Sequence, residues 1–114
     1  MVRAGNGILF AIAAVLATGS ATAADRAQID RIVAAIHKDT ATQSCLRQNA
    51  PRFLSINIED PNALADLVTA CLQPGRTFVA IVCDSSDADC RVLAGAAMFF
   101  AAREAIENAR TSRR

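Results

Sequence analysis

Apolar residues recur at helical spacing in three separate stretches of this chain. The first stretch places four of them at i, i+3, i+4 and i+7, which is one face of an α-helix: Ile29, Ile32, Val33 and Ile36. The pattern predicts a helix from about Asp25 into the late thirties. Residues 40–50 are expected to continue as helix after a kink, until Pro51 ends it.

A second helix is predicted to start at Asp60-Pro61. An acidic N-cap followed by proline is a common helix start, because the N–H that proline lacks would have no partner there. The apolar residues that follow share one helical face: Leu64, Leu67, Val68, Cys71 and Leu72. Gln73-Pro74-Gly75 predicts the end of this helix.

The last helix is predicted to start near Ser86, because Ser86 and Asp89 resemble a capping box. Residues 92–102 then carry no charge and no hydrogen-bonding side chain. A helix that is apolar on all sides must be buried on all sides, which predicts a central position in the domain. The alternative is an apolar face covered by a second copy or by another protein.

Two segments, 53–58 and 77–83, are rich in β-branched and aromatic residues and so resemble strands. A parallel pair alone is a poor sheet, because parallel sheets need cover on both faces. We therefore expect an extended connector at 53–58 and a short buried helix at 77–83. The predicted fold class is mostly α: a small disulfide-stapled domain of three to five helices around a central C-terminal helix. The alternative is a mixed α/β fold with a short two-stranded element.

Residues 1–23 are typical of a cleaved secretory signal peptide. Arg3 precedes the apolar run 8–17, and Ala21-Thr22-Ala23 matches the small-x-small pattern before a cleavage site. The run is too short to span a bilayer, which takes about 20 residues. We expect cleavage before Ala24, which leaves residues 24–114 as a single small helical domain. This domain is expected in the periplasm or outside the cell, without a stable membrane anchor.

Cleavage of the predicted signal would leave a domain without net charge. The chain has 12 basic and 11 acidic residues, and Arg3 would be removed with the signal. A neutral domain argues against nucleic acid as a partner, since the phosphate backbone requires a basic surface.

All four cysteines lie after the predicted signal, and an even number in an exported protein predicts two disulfides. Neither a zinc site nor a redox site is expected, because no C-x-x-C motif is present. The short loop favours Cys83–Cys90, which leaves Cys45–Cys71 as the second pair. Pairing Cys71 with Cys83 is the main alternative, and sequence alone leaves the connectivity open.

Candidate catalytic and metal-binding residues have simpler explanations. His37 lies at the end of the first helix, where it can interact with the last carbonyl groups. The carboxylates of residues 84–89 do not follow the ligand spacing of a calcium-binding loop. We therefore expect no catalytic residue, no metal site and no cofactor.

The expected function is contact with another protein or with a second copy of the chain. Phe99, Phe100 and Arg103 are the candidate interface residues, because aromatic side chains and arginine are enriched at interface anchors. Consecutive helical residues point about 100° apart, so one phenylalanine should fill the core and the other reach the rim. Arg103 can also form an ion pair with Glu107, four residues later.

Several kinds of non-catalytic protein fit this description: an inhibitor or immunity factor, a chaperone, or an assembly subunit. The alternative is a small exported enzyme or a carrier of an apolar ligand, with a site lined by Phe78, Met98, Phe99 and Phe100. A cleft that contains His37 or clustered carboxylates would favour an enzyme. A flat apolar patch around Phe99 and Phe100 would favour a binding protein.

Overall fold

The computed structural model describes residues 22–84 and 86–112, and these residues form helices joined by short turns, without a strand. The α-helices, in chain order, are α1 (Ala23–Lys38), α2 (Thr40–Asn49), α3 (Pro61–Ala70), α4 (Leu72–Val82) and α5 (Ala88–Ser112). A short 3-10 helix, Ala50–Phe53, follows α2. The mostly helical fold class is confirmed, and the mixed α/β alternative does not occur in the described part of the chain.

The long C-terminal helix α5 is the centre of the fold. It packs against α1, α2, α3, α4 and the 3-10 helix, most extensively against α1. The predicted apolar run is buried on nearly every side, and its alanines let neighbouring helices approach closely. The buried residues of α5 are Cys90, Leu93, Ala94, Ala96, Ala97, Met98, Phe99, Ala101, Ala102, Ala105 and Ile106. The expected central position of this helix is confirmed.

Local capping explains the boundaries of the first two helices. Thr22 and Asp25 form a capping box at the start of α1, and the expected kink occurs at Asp39, whose backbone is extended. The Asp39 carboxylate accepts hydrogen bonds from the N–H and the hydroxyl of Thr42, which satisfies a fully buried polar side chain. Residues 1–21 of the predicted signal lie outside the described residues. Cleavage before Ala24 would remove the Thr22 cap.

The predicted helix end at Gln73-Pro74-Gly75 is wrong. α3 ends at Ala70, and α4 begins at Leu72 and runs through the proline and the glycine. Pro74 is tolerated there because it lies in the first turn, where backbone N–H groups have no helical partner. Gly75 allows a close approach to α5, since a Cβ at this position would lie 3.1 Å from Cε of Met98.

Segments 53–58 and 77–83 differ in part from expectation. Residues 54–59 form turns after the 3-10 helix rather than an extended connector. Arg110 of α5 holds these turns against the domain by donating hydrogen bonds to the carbonyls of Leu54 and Ile56. Segment 77–83 is helical as expected, but Phe78 is buried while Ile81 is 75% exposed. The expected short buried helix is therefore confirmed as a helix, but only one of its sides is buried.

Two disulfides join the helices. Cys45 of α2 is bonded to Cys71, which lies between α3 and α4. Cys83, directly after α4, is bonded to Cys90 in the first turn of α5. This is the pairing that the short loop favours in the sequence. Disulfides of this kind are typical of proteins in oxidising compartments.

The start of α5 depends on Asp87 rather than on Ser86. An Asp87 side-chain oxygen accepts a hydrogen bond from the N–H of Cys90 at 2.9 Å, which is the N-cap arrangement. The Ser86 hydroxyl instead donates to the carboxylate of Asp84. The predicted capping box at Ser86 and Asp89 is therefore wrong, and a single N-cap hydrogen bond to Asp87 takes its place.

Removing this cap gives a local test of the fold. We expect Asp87→Ala to lower the free energy of unfolding by about 1 kcal/mol, because the first turn of α5 loses a hydrogen bond. Ser86→Ala is the matched control and should change stability by less than about 0.5 kcal/mol. Urea denaturation followed by circular dichroism measures both variants. Equal losses would contradict the assignment of Asp87 as the cap.

Candidate functional site

The candidate interface residues on α5 lie mostly inside the domain. Phe99 is 2% exposed, so a partner cannot reach it in this conformation. Phe100 is half-buried and packs against the edge of the core. A flat apolar patch built from both phenylalanines is therefore not present on the described surface.

Arg103 is engaged in ion pairs at the domain surface. Its Nη2 donates to Oε2 of Glu59 at 2.8 Å, which links α5 to the turn before α3. Its Nε lies 3.9 Å from Oε2 of Glu107, so the pair expected from the sequence exists at longer range. Exposed ion pairs of this type contribute at most about 1 kcal/mol. Arg103 thus has a structural explanation that needs no partner.

His37 is paired with a carboxylate but not buried in a cleft. Its Nε2 is hydrogen-bonded to Oε1 of Glu104, which ties the end of α1 to the middle of α5. Both side chains are exposed by more than 40%. The contact explains the position of His37 as a surface link between two helices. It also shows that the acidic partner comes from a residue far away in the sequence.

The proposed ligand site among the phenylalanines is occupied by packed side chains. Phe78, Met98 and Phe99 are each less than 5% exposed and belong to the core. A cleft of about 410 Å³ lies elsewhere, between α2, the 3-10 helix and the C-terminal half of α5. The residues that line it are Gln43, Arg47, Pro51, Ala105, Asn108, Ala109 and Ser112. Neither a histidine nor a carboxylate is among these lining residues.

The exposed apolar surface of the domain lies on α4. The large apolar side chains that are exposed among the described residues are Leu72 at 48%, Ile81 at 75% and Val82 at 39%. All three belong to this one short helix. Successive helical residues point 100° apart, so Leu72 and Ile81 lie at opposite edges of one side of the helix, while Val82 points in a third direction.

One side of α4 faces solvent along its whole length. The exposed residues recur at i, i+4 and i+8 and therefore form one continuous surface, which we call the α4 face: Leu72, Gln73, Arg76, Thr77, Ala80 and Ile81. Gly75 and Phe78 lie on the opposite, buried side. The α4 face therefore combines apolar side chains with one cation.

Both ends of α4 are held by disulfides. Cys71 is the N-cap of the helix and is bonded to α2, while Cys83 is the C-cap and is bonded to α5. Each bridge fixes the helix end against a neighbouring element by a covalent bond. The α4 face is thus presented in a fixed orientation, which lowers the conformational entropy that a contact would cost.

The sequence pattern indicates the α4 face once the predicted helix end at Gln73-Pro74-Gly75 is removed. If a helix ends at Pro74, Leu72 and Ile81 belong to two separate apolar segments, and each segment is expected to be buried. If it continues through Gly75, the polar residues Gln73, Arg76 and Thr77 share one face with them. Recognising that proline is accepted in the first helical turn would have revealed the α4 face.

Comparisons with protein-family models, with curated proteins and with solved structures give no match. Across residues 22–84 and 86–112, no helix combines the length and the apolar character needed to cross a membrane. The same residues contain no group of three or more His, Cys, Asp or Glu side chains placed to hold a metal ion. The physical description of the α4 face is therefore the basis for a functional proposal.

Proposed function

We propose that this chain is an exported protein of the periplasm or the extracellular space that acts through protein–protein contact, without catalysis. Its contact surface is the α4 face. An inhibitor or immunity factor, a chaperone and an assembly subunit all belong to this class. The observation that carries the proposal is that this face of α4 exposes two large apolar side chains, Leu72 and Ile81, on a helix held by a disulfide at each end.

Energetics support a contact role for these side chains. Ile81 exposes 75% of its surface to water, and covering an apolar side chain contributes about 25 cal/mol for each Å² removed from water. A disulfide-held helix also needs little ordering before it binds. An exposed apolar surface on a rigid helix therefore lowers the solubility of the free protein and favours formation of a complex.

The proposed export supports the same reading. Two disulfides persist in an oxidising compartment and stabilise a domain whose core is small. Residues 1–23 have the composition of a secretory signal. In such a compartment, the bridges at both ends of α4 remain closed and the surface remains in place.

A site-specific photo-crosslinker at position 81 tests the contact surface directly. We expect irradiation of cells that export the protein to give a discrete covalent adduct, identified by mass spectrometry as either another protein or a second copy. The same crosslinker at Ala34, an exposed position on α1, is the matched control and should give no such adduct. Similar adducts from both positions, or none from position 81, would contradict the proposal.

The substitution Ile81→Asp completes this experiment. A carboxylate at the centre of an apolar contact is costly to desolvate, so it should reduce the adduct formed from a crosslinker at the neighbouring Thr77 by about tenfold or more. The side chain is exposed, so the fold should be unaffected, and circular dichroism checks this. An undiminished adduct would show that Ile81 is not part of the contact.

A further inference from the structure

The peptide bond at which the signal is expected to be cut lies inside the first turn of α1. Cleavage is expected between Ala23 and Ala24, and α1 begins at Ala23. The N–H of Arg26 donates to the carbonyl of Thr22 at 2.9 Å, so a hydrogen bond spans this peptide bond. The N–H of Asp25 donates to the Thr22 hydroxyl at 3.1 Å and spans it a second time. The bond is therefore part of the folded domain rather than of a linker in front of it.

A helical turn does not present this bond to a peptidase. The small-x-small motif has its small residues at alternate positions, and alternate side chains share one side only in an extended chain. Proteolysis of a folded chain proceeds through locally opened conformations, so its rate follows the population in which the site is open. Cleavage of this chain thus requires that the first turn of α1 is not formed.

A second helix start follows directly after the cleavage position. The residues are Asp25-Arg26-Ala27-Gln28. Aspartate is among the most favoured N-cap residues, and a glutamine three residues later completes the pattern of a capping box in front of an apolar run. That run begins at Ile29, which is buried. This start lies wholly in the part of the chain that cleavage leaves behind.

We propose that residues 22–28 hold two alternative starts of α1, and that signal removal exchanges one for the other. Thr22 with Asp25 caps the helix in the full chain, and Asp25 with Gln28 caps it after cleavage. The inference rests on the export in the proposed function and goes beyond its contact surface. Signal peptidase acts on the unfolded first turn, so cleavage precedes the folding of α1.

The chemistry of cleavage favours the later start. Water hydrolyses the C–N bond, its oxygen joins the carbonyl carbon of Ala23 as a carboxylate, and the nitrogen of Ala24 becomes an α-ammonium group. A positive charge in the first turn is repelled by the helix dipole. With Asp25 as the N-cap, Ala24 lies outside the helix and its charge is next to the Asp25 carboxylate.

The exchange leaves the packing of α1 unchanged. The buried residues of this helix, which packs against α5, all follow Gln28: Ile29, Ile32 and Ile36. Ala23 and Ala24, which leave the helix, are exposed. The mature chain therefore loses one exposed turn and keeps the contacts that hold α1 in the domain.

The rate of cleavage tests whether the fold covers the bond. With purified signal peptidase in mild detergent, the full chain with closed disulfides should be cut about tenfold or more slowly than the reduced, unfolded chain. Thr22→Ala keeps the small-x-small motif but removes the cap, so the folded variant should be cut about fivefold faster than the folded wild type. Thr22→Ser keeps a capping hydroxyl and is the matched control. In the reduced state all three chains should be cut at one rate, which shows that recognition of the motif is unaltered.

Urea denaturation of the full and the mature chain tests the new cap. Asp25→Ala should raise the unfolding equilibrium constant of the mature chain by about fivefold and that of the full chain by less than about threefold. Gln28→Ala should raise the constant about twofold in the mature chain only, because in the full chain position 28 lies past the first turn, where alanine is favourable. Asp30→Ala, an exposed acid further along α1, is the control and should affect both chains equally.

Each failure has its own outcome. Equal cleavage rates of the folded and the reduced chain would overturn the requirement for an open first turn. Equal effects of Asp25→Ala and Gln28→Ala in the full and mature chains would overturn the exchange of caps. A chain that stays uncut even when reduced would remove the proposed export and this inference with it. The crosslinker at position 81 tests the contact surface separately, so a missing adduct there leaves the exchange of caps standing.

Discussion

Replacing Cys45 and Cys71 together with alanine should lower the free energy of unfolding by about 3.5 kcal/mol. The bridge closes a loop of 26 residues, and cross-linking such a loop removes that much conformational freedom from the unfolded chain in the loop-entropy model. For a domain of this size, the melting temperature should fall by roughly 15–25 °C. Thermal melts followed by circular dichroism measure the change.

The second bridge provides the internal comparison. Cys83→Ala with Cys90→Ala opens a loop with a sequence separation of 7, for which the same model gives about 2.5 kcal/mol. Full reduction of the wild type opens both bridges, so it should lower the free energy of unfolding by at least as much as removal of Cys45–Cys71 alone. A domain of this size has only a small free energy of unfolding, so this loss should be large in proportion. A melting temperature unchanged after verified reduction would show that the core is sufficient without the bridges.

The second large effect is expected at Phe99. Its side chain is 2% exposed and lies on the central helix, so Phe99→Ala should leave a cavity and cost about 3–5 kcal/mol. Urea denaturation of the oxidised protein gives the value. A loss below about 1 kcal/mol would mean that the ring is not packed as the fold places it.

Phe100 is the matched control, because it is the same residue type one position further along the same helix. It is only half-buried, so Phe100→Ala should cost about 1–2 kcal/mol, in proportion to the apolar area it removes from water on folding. The effect of Phe100→Ala on association shows whether the contact surface lies on α5 or on α4. Weakened self-association in Phe100→Ala but not in Ile81→Asp would return the contact surface from α4 to α5.

Much of the helical architecture follows from local features of the sequence. Asp60-Pro61 predicted the start of α3, and the structure has Asp60 as the N-cap and Pro61 as the first helical residue. The apolar spacing of Ile29, Ile32 and Ile36 predicted the buried face of α1, and all three are buried. Caps and hydrophobic periodicity act within a few residues, so they can be recognised without knowledge of the neighbours.

The contacts between distant residues could not be derived in this way. His37 pairs with Glu104. Arg103 lies closer in space to Glu59 than to Glu107, although Glu107 is much nearer to it in the sequence. The His37–Glu104 and Arg103–Glu59 contacts join different elements, whereas the sequence suggested the helix-end carbonyl groups for His37 and Glu107 for Arg103. The choice between neighbours in space depends on how the helices pack, which periodicity does not specify.

Local patterns in the chain were enough to predict a small helical domain, to favour a central position for residues 92–102 and to prefer one set of disulfide pairs. These follow from local hydrogen bonding, from the cost of exposing apolar surface and from loop length. The continuation of α4 through Pro74-Gly75, and the side of this helix that stays exposed, depend on packing between distant parts of the chain. The reason is that packing against a neighbouring helix selects the buried side: a Cβ at Gly75 would lie 3.1 Å from Cε of Met98, so this side approaches α5 closely, while Leu72 and Ile81 remain exposed.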